Sequence, residues 1–276
     1  MKDKIKAYLK LSRVGNALIA MLVVFVGVKA SVGFIPFLKT LCLSLSMFFL
    51  NVFSNIQNDI VDVEIDKINR KERPIVNGSV SENEAAYLAI FSLIVSLVFA
   101  IFCGLGIFLM ALLMAILVYL YNTYLKKVLL LSNITVALIT ALVFIIAGML
   151  VKATKYAFML GLIAFYYNFM REIIKDWADI EGDKSAGIQT VPMVLGDKLT
   201  GILIVILSFF FIPFLLIPYV AGLFKTPYLY IGIGFCAVPL FASFFLLKKD
   251  KEGIYMYSKV SKYLMLSLLL AIYLGV

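Results

Sequence analysis

Residues 59–67 read Asp-Ile-Val-Asp-Val-Glu-Ile-Asp-Lys, and residues 176–184 read Asp-Trp-Ala-Asp-Ile-Glu-Gly-Asp-Lys. These two stretches, the first and second acidic motifs, share the pattern Asp-x-x-Asp-x-Glu-x-Asp-Lys and begin 117 positions apart. They hold eight of the chain's 16 acidic residues. Carboxylates beside a bilayer are costly. Two matched acidic clusters in an apolar chain therefore indicate a site that binds cations and, through them, an anionic ligand.

The composition excludes a water-soluble domain. The chain has 276 residues, is 63% hydrophobic and has a mean hydropathy of +1.05, which is typical of a polytopic membrane protein. The net charge of +9 therefore reports orientation in the membrane and does not predict a nucleic-acid partner. Because histidine is absent, carboxylates, lysine, tyrosine and asparagine remain for any chemistry.

Apolar runs predict an all-α protein with nine transmembrane helices around a central cavity, and we treat residues 1–276 as a single domain. The predicted spans are 14–34, 37–57, 83–104, 106–125, 130–150, 156–174, 199–220, 226–247 and 257–275. With the N-terminus in the cytoplasm and the C-terminus outside, 20 of the 25 basic residues fall on the inner side, including Lys2, Lys248 and Lys249. This orientation predicts a multi-pass protein of the cell membrane with both acidic motifs, and hence the active site, toward the cytoplasm.

The spacing of the motifs separates their aspartates from their glutamates. If the preceding helix continues through the first motif, Asp59, Asp62 and Asp66 fall within roughly 60° of one another. Glu64 then points about the opposite way. The second copy behaves identically, with a shared face of Asp176, Asp179 and Asp183 and with Glu181 off that face. We therefore expect the aspartates to bind the ligand, and the glutamates either to be solvated or to contact the aspartates without touching the ligand.

Three like charges on one face stay ionised only beside a counter-charge. Mg²⁺ characteristically binds one or two carboxylates plus substrate phosphates, so two facing clusters could hold two or more Mg²⁺ ions around one diphosphate. The predicted metal ligands are Asn58, Asp59, Asp62, Asp66, Asp176, Asp179 and Asp183, of which all but Asn58 and Asp59 are also the predicted catalytic residues. The predicted diphosphate-binding cations are Lys67, Arg70, Arg73, Lys126, Lys127, Lys175 and Lys184.

A simpler interpretation is that the motifs are solvated acidic patches on cytoplasmic loops. Two copies with matched spacing disfavour it. Positive-inside bias alone accounts for most of the basic residues. Among them, Arg73 is favoured by its position beside Pro74.

The motifs resemble the UbiA-type intramembrane prenyltransferase superfamily. The resemblance covers nearly the whole chain and rests on Asn58-Asp59-x-x-Asp62-x-x-x-Asp66, Arg73-Pro74-x-x-x-Gly78, Asp176-x-x-Asp179-x-x-x-Asp183 and Gly187-x-x-Thr190-x-Pro192-x-x-x-Gly196. Within this superfamily, the sequence of residues 58–70 and 171–183 is most similar to that of the archaeal digeranylgeranylglyceryl phosphate synthases.

That resemblance implies Mg²⁺-dependent transfer of a geranylgeranyl group from its diphosphate to the free hydroxyl of geranylgeranylglyceryl phosphate, which makes the second ether of archaeal membrane lipids. It also points to Arg13, Asn16 and Tyr121 as residues for acceptor binding or cation stabilisation. Aromatic faces can stabilise an allylic cation, so Tyr166 and Tyr167, just before the second motif, are candidates for that role. Arg171 is a candidate for binding the phosphate of the acceptor. The chain departs from the family pattern where Val14 replaces a common proline. Tyr121 lies at an unusual spacing from the lysines that follow it, so which lysine reaches the diphosphate stays open.

Three other functions share parts of this pattern. A prenyltransferase with an aromatic acceptor, such as 4-hydroxybenzoate or a porphyrin-like ring, would carry the same motifs. A cation transporter is less favoured because transporter sites usually lie near the membrane midplane. An alcohol phosphotransferase is disfavoured because Val63 and Ile180 stand where that family has glycine. The expected partners are a prenyl diphosphate, a lipid-like phosphate acceptor and membrane lipids, with no nucleic acid and no obligate protein partner.

Overall fold

The computed structural model describes residues 2–185, 187–246 and 250–276, and within these ranges the regular structure is entirely helical. The α-helices are α1 Lys2–Ser12, α2 Val14–Val32, α3 Phe37–Val61, α4 Val63–Asn69, α5 Glu82–Cys103, α6 Leu105–Thr123, α7 Leu131–Leu150, α8 Thr154–Ala178, α9 Ile180–Ser185, α10 Val191–Val220, α11 Thr226–Gly232, α12 Val238–Leu246 and α13 Lys251–Leu274. A 3₁₀ turn covers Leu125–Lys127, and a π-helical turn covers Ile233–Ala237.

Eight helical segments of the described chain are long and apolar enough to cross a membrane. They are Val14–Val32, Phe37–Val61, Glu82–Cys103, Leu105–Thr123, Leu131–Leu150, Lys155–Ala178, Val191–Val220 and Thr226–Phe245. The prediction of a multi-pass all-α membrane protein is therefore confirmed. The ninth predicted span forms helix α13, whose first half carries Lys259 and Lys262. Its crossing of the membrane, the side on which each terminus lies and the central cavity stay predictions.

Two local signals position the helices of the first half of the chain. The Ser81 hydroxyl accepts from the Glu84 amide, and the Glu84 carboxylate accepts from the Ser81 amide, so a capping box starts α5. Gly104 alone links α5 to α6, with φ 119°, a conformation that glycine adopts without a Cβ penalty. Helices α5 and α6 therefore form a helical hairpin at this glycine.

The chain divides into two compact units. The first holds residues up to Phe25 together with Ile35–Leu125, and α3 packs there against α5, α6 and α1. Ser46 and Ser96 share a hydrogen bond of 3.3 Å, because small residues let α3 and α5 approach closely. The second unit holds Val26–Phe34 and Lys126–Val276, and α8 packs there against α7, α10 and α13. That residues 1–276 form a single domain stays a prediction.

Several predicted boundaries differ from the structure. The N-terminal basic segment forms helix α1, which the search for apolar runs did not mark because its lysines hide the amphipathic pattern. Helix α10 begins at Val191 and contains a break at Gly196, where φ is 72°. The span predicted over 226–247 is interrupted by the π-helical turn. Leu247, Lys248 and Lys249 lie outside the described residues.

Candidate active site

Both acidic motifs bend at their middle aspartate. Asp62 has φ −93° and ψ 8°, and it separates α3 from α4. Asp179 has φ −107° and ψ 14°, and it separates α8 from α9. The two bends fall at equivalent positions of the repeated pattern, so the repetition extends from sequence to backbone geometry.

This bend corrects the expectation that one straight helix runs through each motif. With ψ near 0° the next peptide turns off the helix axis. The hydrogen-bond ladder nevertheless continues, since the Asp66 amide donates to the Asp62 carbonyl at 2.8 Å and the Asp183 amide donates to the Asp179 carbonyl at 3.0 Å. Residues on both sides of each bend therefore keep helical spacing while the short helices α4 and α9 change direction.

In the first motif, Arg73 joins two of the predicted ligands. Its Nη1 donates to Asp59 Oδ1 at 2.6 Å and to Asp66 Oδ2 at 2.5 Å, and the three side chains are at least nine-tenths buried. Arg13 also donates to Asp59 Oδ1. The structure thus brings the first and last aspartates of the motif onto one side, as the helical spacing predicts.

The other polar side chains of the first motif have separate partners. Asn58 Nδ2 donates to Asp62 Oδ2 at 2.9 Å, which ties together the two predicted ligands around the bend. Glu64 is 82% exposed and accepts from Lys67 at 2.6 Å. The glutamate is solvated, as expected, and the lysine proposed for diphosphate contacts this glutamate. Arg70 is exposed at the end of α4.

Burial and charge act in opposite directions on the Arg73 cluster. Burial raises the pKa of the Asp66 carboxyl above its usual value, while the nearby Arg73 guanidinium lowers it. Burial also lowers the pKa of Arg73 from its usual value, and Asp59 and Asp66 offset that effect. An arginine stays protonated throughout the physiological range, so the cluster is a buried ion-pair network.

Arg13 is placed by an uncommon backbone conformation. It stands between α1 and α2 with φ 45°, in the left-handed region that non-glycine residues rarely adopt. Such residues persist only where the surrounding structure holds them, and here the Arg13 side chain is held by Asp59. Asn16, predicted with Arg13 for the acceptor, lies one turn later and is exposed.

In the second motif, the first aspartate accepts from a neutral donor instead of an arginine. Asn133 of α7 is 2% exposed, and its Nδ2 donates to Asp176 Oδ2 at 2.7 Å. Trp177 Nε1 donates to Asp197 Oδ1 at 2.8 Å. Glu181 is 78% exposed and accepts from Lys251 at 2.5 Å, so it is solvated, as expected. Asp179 and Asp183 are half-buried at and after the bend.

Glu172, which was not predicted as a site residue, contacts two of the predicted cations. This glutamate is 5% exposed, and its carboxylate accepts from Arg171 at 2.8 Å and from Lys175 at 2.9 Å. The sequence signal was an acidic residue on a membrane helix, with one cation beside it and another three positions later. Asn133 was also missed, because an asparagine in an apolar run has no distinctive spacing.

The remaining predicted cations differ in exposure. Lys126 is 8% exposed in the 3₁₀ turn after α6, whereas Lys127 and Lys184 are exposed. Their contact with diphosphate stays a prediction.

The predicted tyrosines make packing contacts. The Tyr166 hydroxyl donates to the Leu207 carbonyl at 2.9 Å, and its ring stacks on Phe211 and Phe214 at centroid distances of 5.5 and 5.1 Å. The fully buried Tyr167 donates to the Ser261 carbonyl. These are the contacts of residues that hold α8 against α10 and α13. Tyr121 is half-buried near the end of α6.

The predicted metal ligands of both motifs have the chemistry that Mg²⁺ requires. They are carboxylate and amide oxygens, which hard divalent cations prefer. Within the described ranges, no three acidic, cysteine or histidine side chains converge tightly enough to hold a metal ion by themselves. Mg²⁺ usually takes only one or two carboxylates and completes its shell with phosphate oxygens and water, so the oxygen ligands that the motif aspartates offer fit this ion.

Comparisons with known proteins identify a family. A model of the UbiA prenyltransferase family matches residues 17–257. The chain is similar to the digeranylgeranylglyceryl phosphate synthase of Methanococcus aeolicus, with 34% identity over 100% of this chain and 99% of the relative.

Two solved structures extend the comparison. A structure of digeranylgeranylglyceryl phosphate synthase in membranes is similar with a TM-score of 0.81 and 32% identity, covering 100% of this chain and 99% of that one. A UbiA homolog from Archaeoglobus fulgidus, bound to GPP and Mg²⁺, shares the fold at a TM-score of 0.62 and 20% identity, covering 96% of this chain and 99% of that one.

Proposed function

Because the chain belongs to the UbiA prenyltransferase family, we propose that it transfers a geranylgeranyl group from its diphosphate to the free hydroxyl of geranylgeranylglyceryl phosphate. The product would be the second ether of an archaeal membrane lipid. Membership of the family establishes prenyl transfer by a multi-pass membrane enzyme. The identity of the two substrates and the use of a metal are what we propose.

The observation that carries the proposal is the repeated aspartate motif with its repeated bend. Six aspartates and two matching backbone geometries stand at the ends of two apolar helices, α3 and α8. A bilayer protein retains such costly groups where they bind a charged ligand. The acceptor is proposed from similarity over the full length to a relative that is named as this synthase.

Asn58 and the six motif aspartates would hold the metal, with Asn58 and Asp62 already joined across the first bend. When bound, Mg²⁺ supplies positive charge to the leaving diphosphate, which promotes cleavage of the allylic carbon–oxygen bond. Arg73 lies against Asp59 and would also contact diphosphate oxygens. Arg13 donates to the same carboxylate and is proposed, with Arg171, for the acceptor.

The protein's part in the chemistry is to favour ionisation and to accept one proton. The carbon–oxygen bond breaks with its electron pair on the diphosphate, which arginine and lysine side chains stabilise. The acceptor hydroxyl then bonds to the allylic carbon and loses its proton. We assign that proton to a motif carboxylate, Asp62 or Asp176, because the chain has no histidine. Arg171 is the candidate for the acceptor phosphate.

We further propose that the motifs lie on the cytoplasmic side, as the distribution of basic residues predicts. The variant Glu64→Cys, made in a protein in which Cys42, Cys103 and Cys236 are replaced, provides the test because Glu64 is exposed. A membrane-impermeant maleimide should label it in inside-out vesicles and not in right-side-out vesicles. The opposite labelling pattern would reverse the proposed orientation.

The function is tested by supplying purified enzyme in nanodiscs with labelled geranylgeranyl diphosphate and one acceptor at a time. We expect an ether product with geranylgeranylglyceryl phosphate, none with 4-hydroxybenzoate, and loss of product when EDTA removes Mg²⁺. A product formed only with the aromatic acid would replace the proposed acceptor. Full activity after removal of divalent metal would disprove the metal's role.

A further inference from the structure

Trp177 lies within the second motif, and its side chain points away from Asp176. Trp177 directly follows Asp176, so on helix α8 its side chain lies about 100° around the axis from that carboxylate. The indole is 5% exposed, and its Nε1 donates to Asp197 Oδ1 at 2.8 Å. Asp176 is held from the other direction by Asn133 of α7. The last turn of α8 is therefore fastened on two sides.

Asp197 is itself well placed to hold the indole. It is the first residue after the break at Gly196, where φ 72° and ψ 168° interrupt α10. The break lets Asp197 stand at the start of the long apolar part of α10, beside the end of α8. Asp197 is exposed and is no part of the acidic motifs or of the proposed chemistry.

The buried indole packs against α12 and borders a groove. Its ring faces Phe244 of α12 at a centroid distance of 6.5 Å, and a Cβ added at Gly201 would lie 3.7 Å from the indole and 3.2 Å from Phe244. A groove of about 360 Å³ borders the same ring, between Trp177, Lys198 and Phe244. The N–H lies on one edge of the ring, so the hydrogen bond to Asp197 selects one orientation of the indole within this packing.

The bend at Asp179 follows two residues after Trp177. The direction in which α9 leaves, and thus the placement of Asp179 and Asp183 relative to Asp176, depends on how the last turn of α8 is held. We propose that Trp177 and Asp197 form a positioning pair that sets the geometry of the second acidic motif and thereby its affinity for Mg²⁺. This inference rests on the proposed function for the role of the metal.

Groups that orient metal ligands without touching the metal typically change metal affinity by about 10–100-fold when removed. We therefore expect Asp197→Leu to raise the Mg²⁺ concentration for half-maximal transfer by roughly tenfold, with kcat at saturating Mg²⁺ within about threefold of wild type. Trp177→Phe, which keeps the ring and loses the N–H, should do the same. Asp197→Asn keeps a carbonyl acceptor and should restore the wild-type Mg²⁺ dependence.

A merely structural role gives a different result. It would lower the active fraction, and so kcat, without moving the half-saturating Mg²⁺ concentration. Lys198→Gln is the matched control, since Lys198 is the exposed neighbour of Asp197 and borders the same groove. We expect it to behave as wild type.

The chain offers a readout that does not depend on turnover. Trp177 is its single tryptophan, so all indole emission reports this position. In enzyme titrated with MgCl₂ at constant inorganic pyrophosphate, we expect a saturable emission change whose midpoint moves several-fold higher in Asp197→Leu and stays in place in Asp197→Asn. An unresponsive indole, or the same midpoint in wild type and Asp197→Leu, would overturn the positioning role.

The two measurements separate the two proposals. If wild-type enzyme makes no ether but the emission midpoint still depends on Asp197, the proposed acceptor fails and the positioning pair stands. If ether forms and Asp197→Leu leaves both Mg²⁺ dependences unchanged, the positioning pair fails and the proposed function stands.

Discussion

The two acidic motifs share an aspartate pattern and a bend, but their first aspartates have different hydrogen-bond donors. In the first motif these donors are arginines: the buried Arg73 bridges Asp59 and Asp66, and Arg13 adds a second cation on Asp59. In the second, Asp176 accepts from the neutral amide of Asn133, and the neighbouring Trp177 donates to Asp197. A repeated sequence therefore does not imply a repeated electrostatic environment, because distant residues supply the partners.

The difference suggests a division of labour. A carboxylate already paired with arginine has its charge compensated within the protein, so the first motif is also a structural ion-pair network. A carboxylate held by an amide keeps its net charge and depends more on an added cation. We expect mutations in the first support to act mainly on stability and mutations in the second to act mainly on metal affinity.

The largest expected effect comes from breaking the first support. Arg73→Met leaves two buried carboxylates without their shared partner, which we expect to cost about 3–5 kcal/mol of unfolding free energy. The loss should appear as a lower midpoint of thermal unfolding in detergent, with Lys71→Met as the exposed control. A midpoint equal to wild type would show that the ion-pair network is not structural.

The next largest effect tests whether the aspartates at the two bends contribute equally to prenyl transfer. Asp62→Asn and Asp179→Asn should each lower prenyl transfer by about 100–1,000-fold, because each removes charge from the proposed site. The controls are Glu64→Gln and Glu181→Gln, the solvated glutamates of the same motifs, which should retain wild-type rates. Equal loss in aspartate and glutamate variants would favour a solvated acidic patch over a metal site.

A smaller effect is expected from the neutral support of the second motif. Asn133→Ala removes a buried donor to Asp176, and we expect about 1–3 kcal/mol of lost stability. Because Mg²⁺ can replace the lost donor, saturating Mg²⁺ should recover part of this loss in thermal unfolding. The same addition should recover much less in Arg73→Met. Equal recovery in both variants would remove the distinction between the motifs.

The smallest effect is a pH response of the first motif. The pKa of Asp66 is raised by burial, so the folded state binds this proton more tightly than the unfolded chain does. Its contribution to stability is fully present below the ordinary aspartate pKa and is lost as pH rises through the raised value. In Mg²⁺-free buffer, the midpoint of wild type should therefore fall with rising pH relative to Asp66→Asn. Parallel curves for the two proteins would contradict this assignment.

Much of the fold was predictable because apolar length fixes membrane helices. Each of the eight candidate spans overlaps a predicted span, and the predicted span 83–104 ends at Gly104, where α5 ends. The bend at Asp62 was not predictable, since neither that residue nor Val63 breaks a helix. Helix α1 was missed for a similar reason: its lysines obscure an amphipathic stripe that contains the buried Ala7 and Leu11.

The candidate site, like the fold, was predictable only in part. The spacing of the aspartates predicted which motif side chains would share a face, and Arg73 stood out beside Pro74. Partners far apart in sequence could not be read from any local pattern. The pairing of Trp177 with Asp197 depends on the break at Gly196, and that of Asn133 with Asp176 depends on how α7 packs on α8.

The single-residue link at Gly104 has a consequence for biogenesis. One residue leaves no loop between α5 and α6, so we expect the two helices to enter the bilayer together as one hairpin. That end of the hairpin consequently presents almost no chain to proteases or to appended tags, and an epitope inserted there would test assembly more than accessibility.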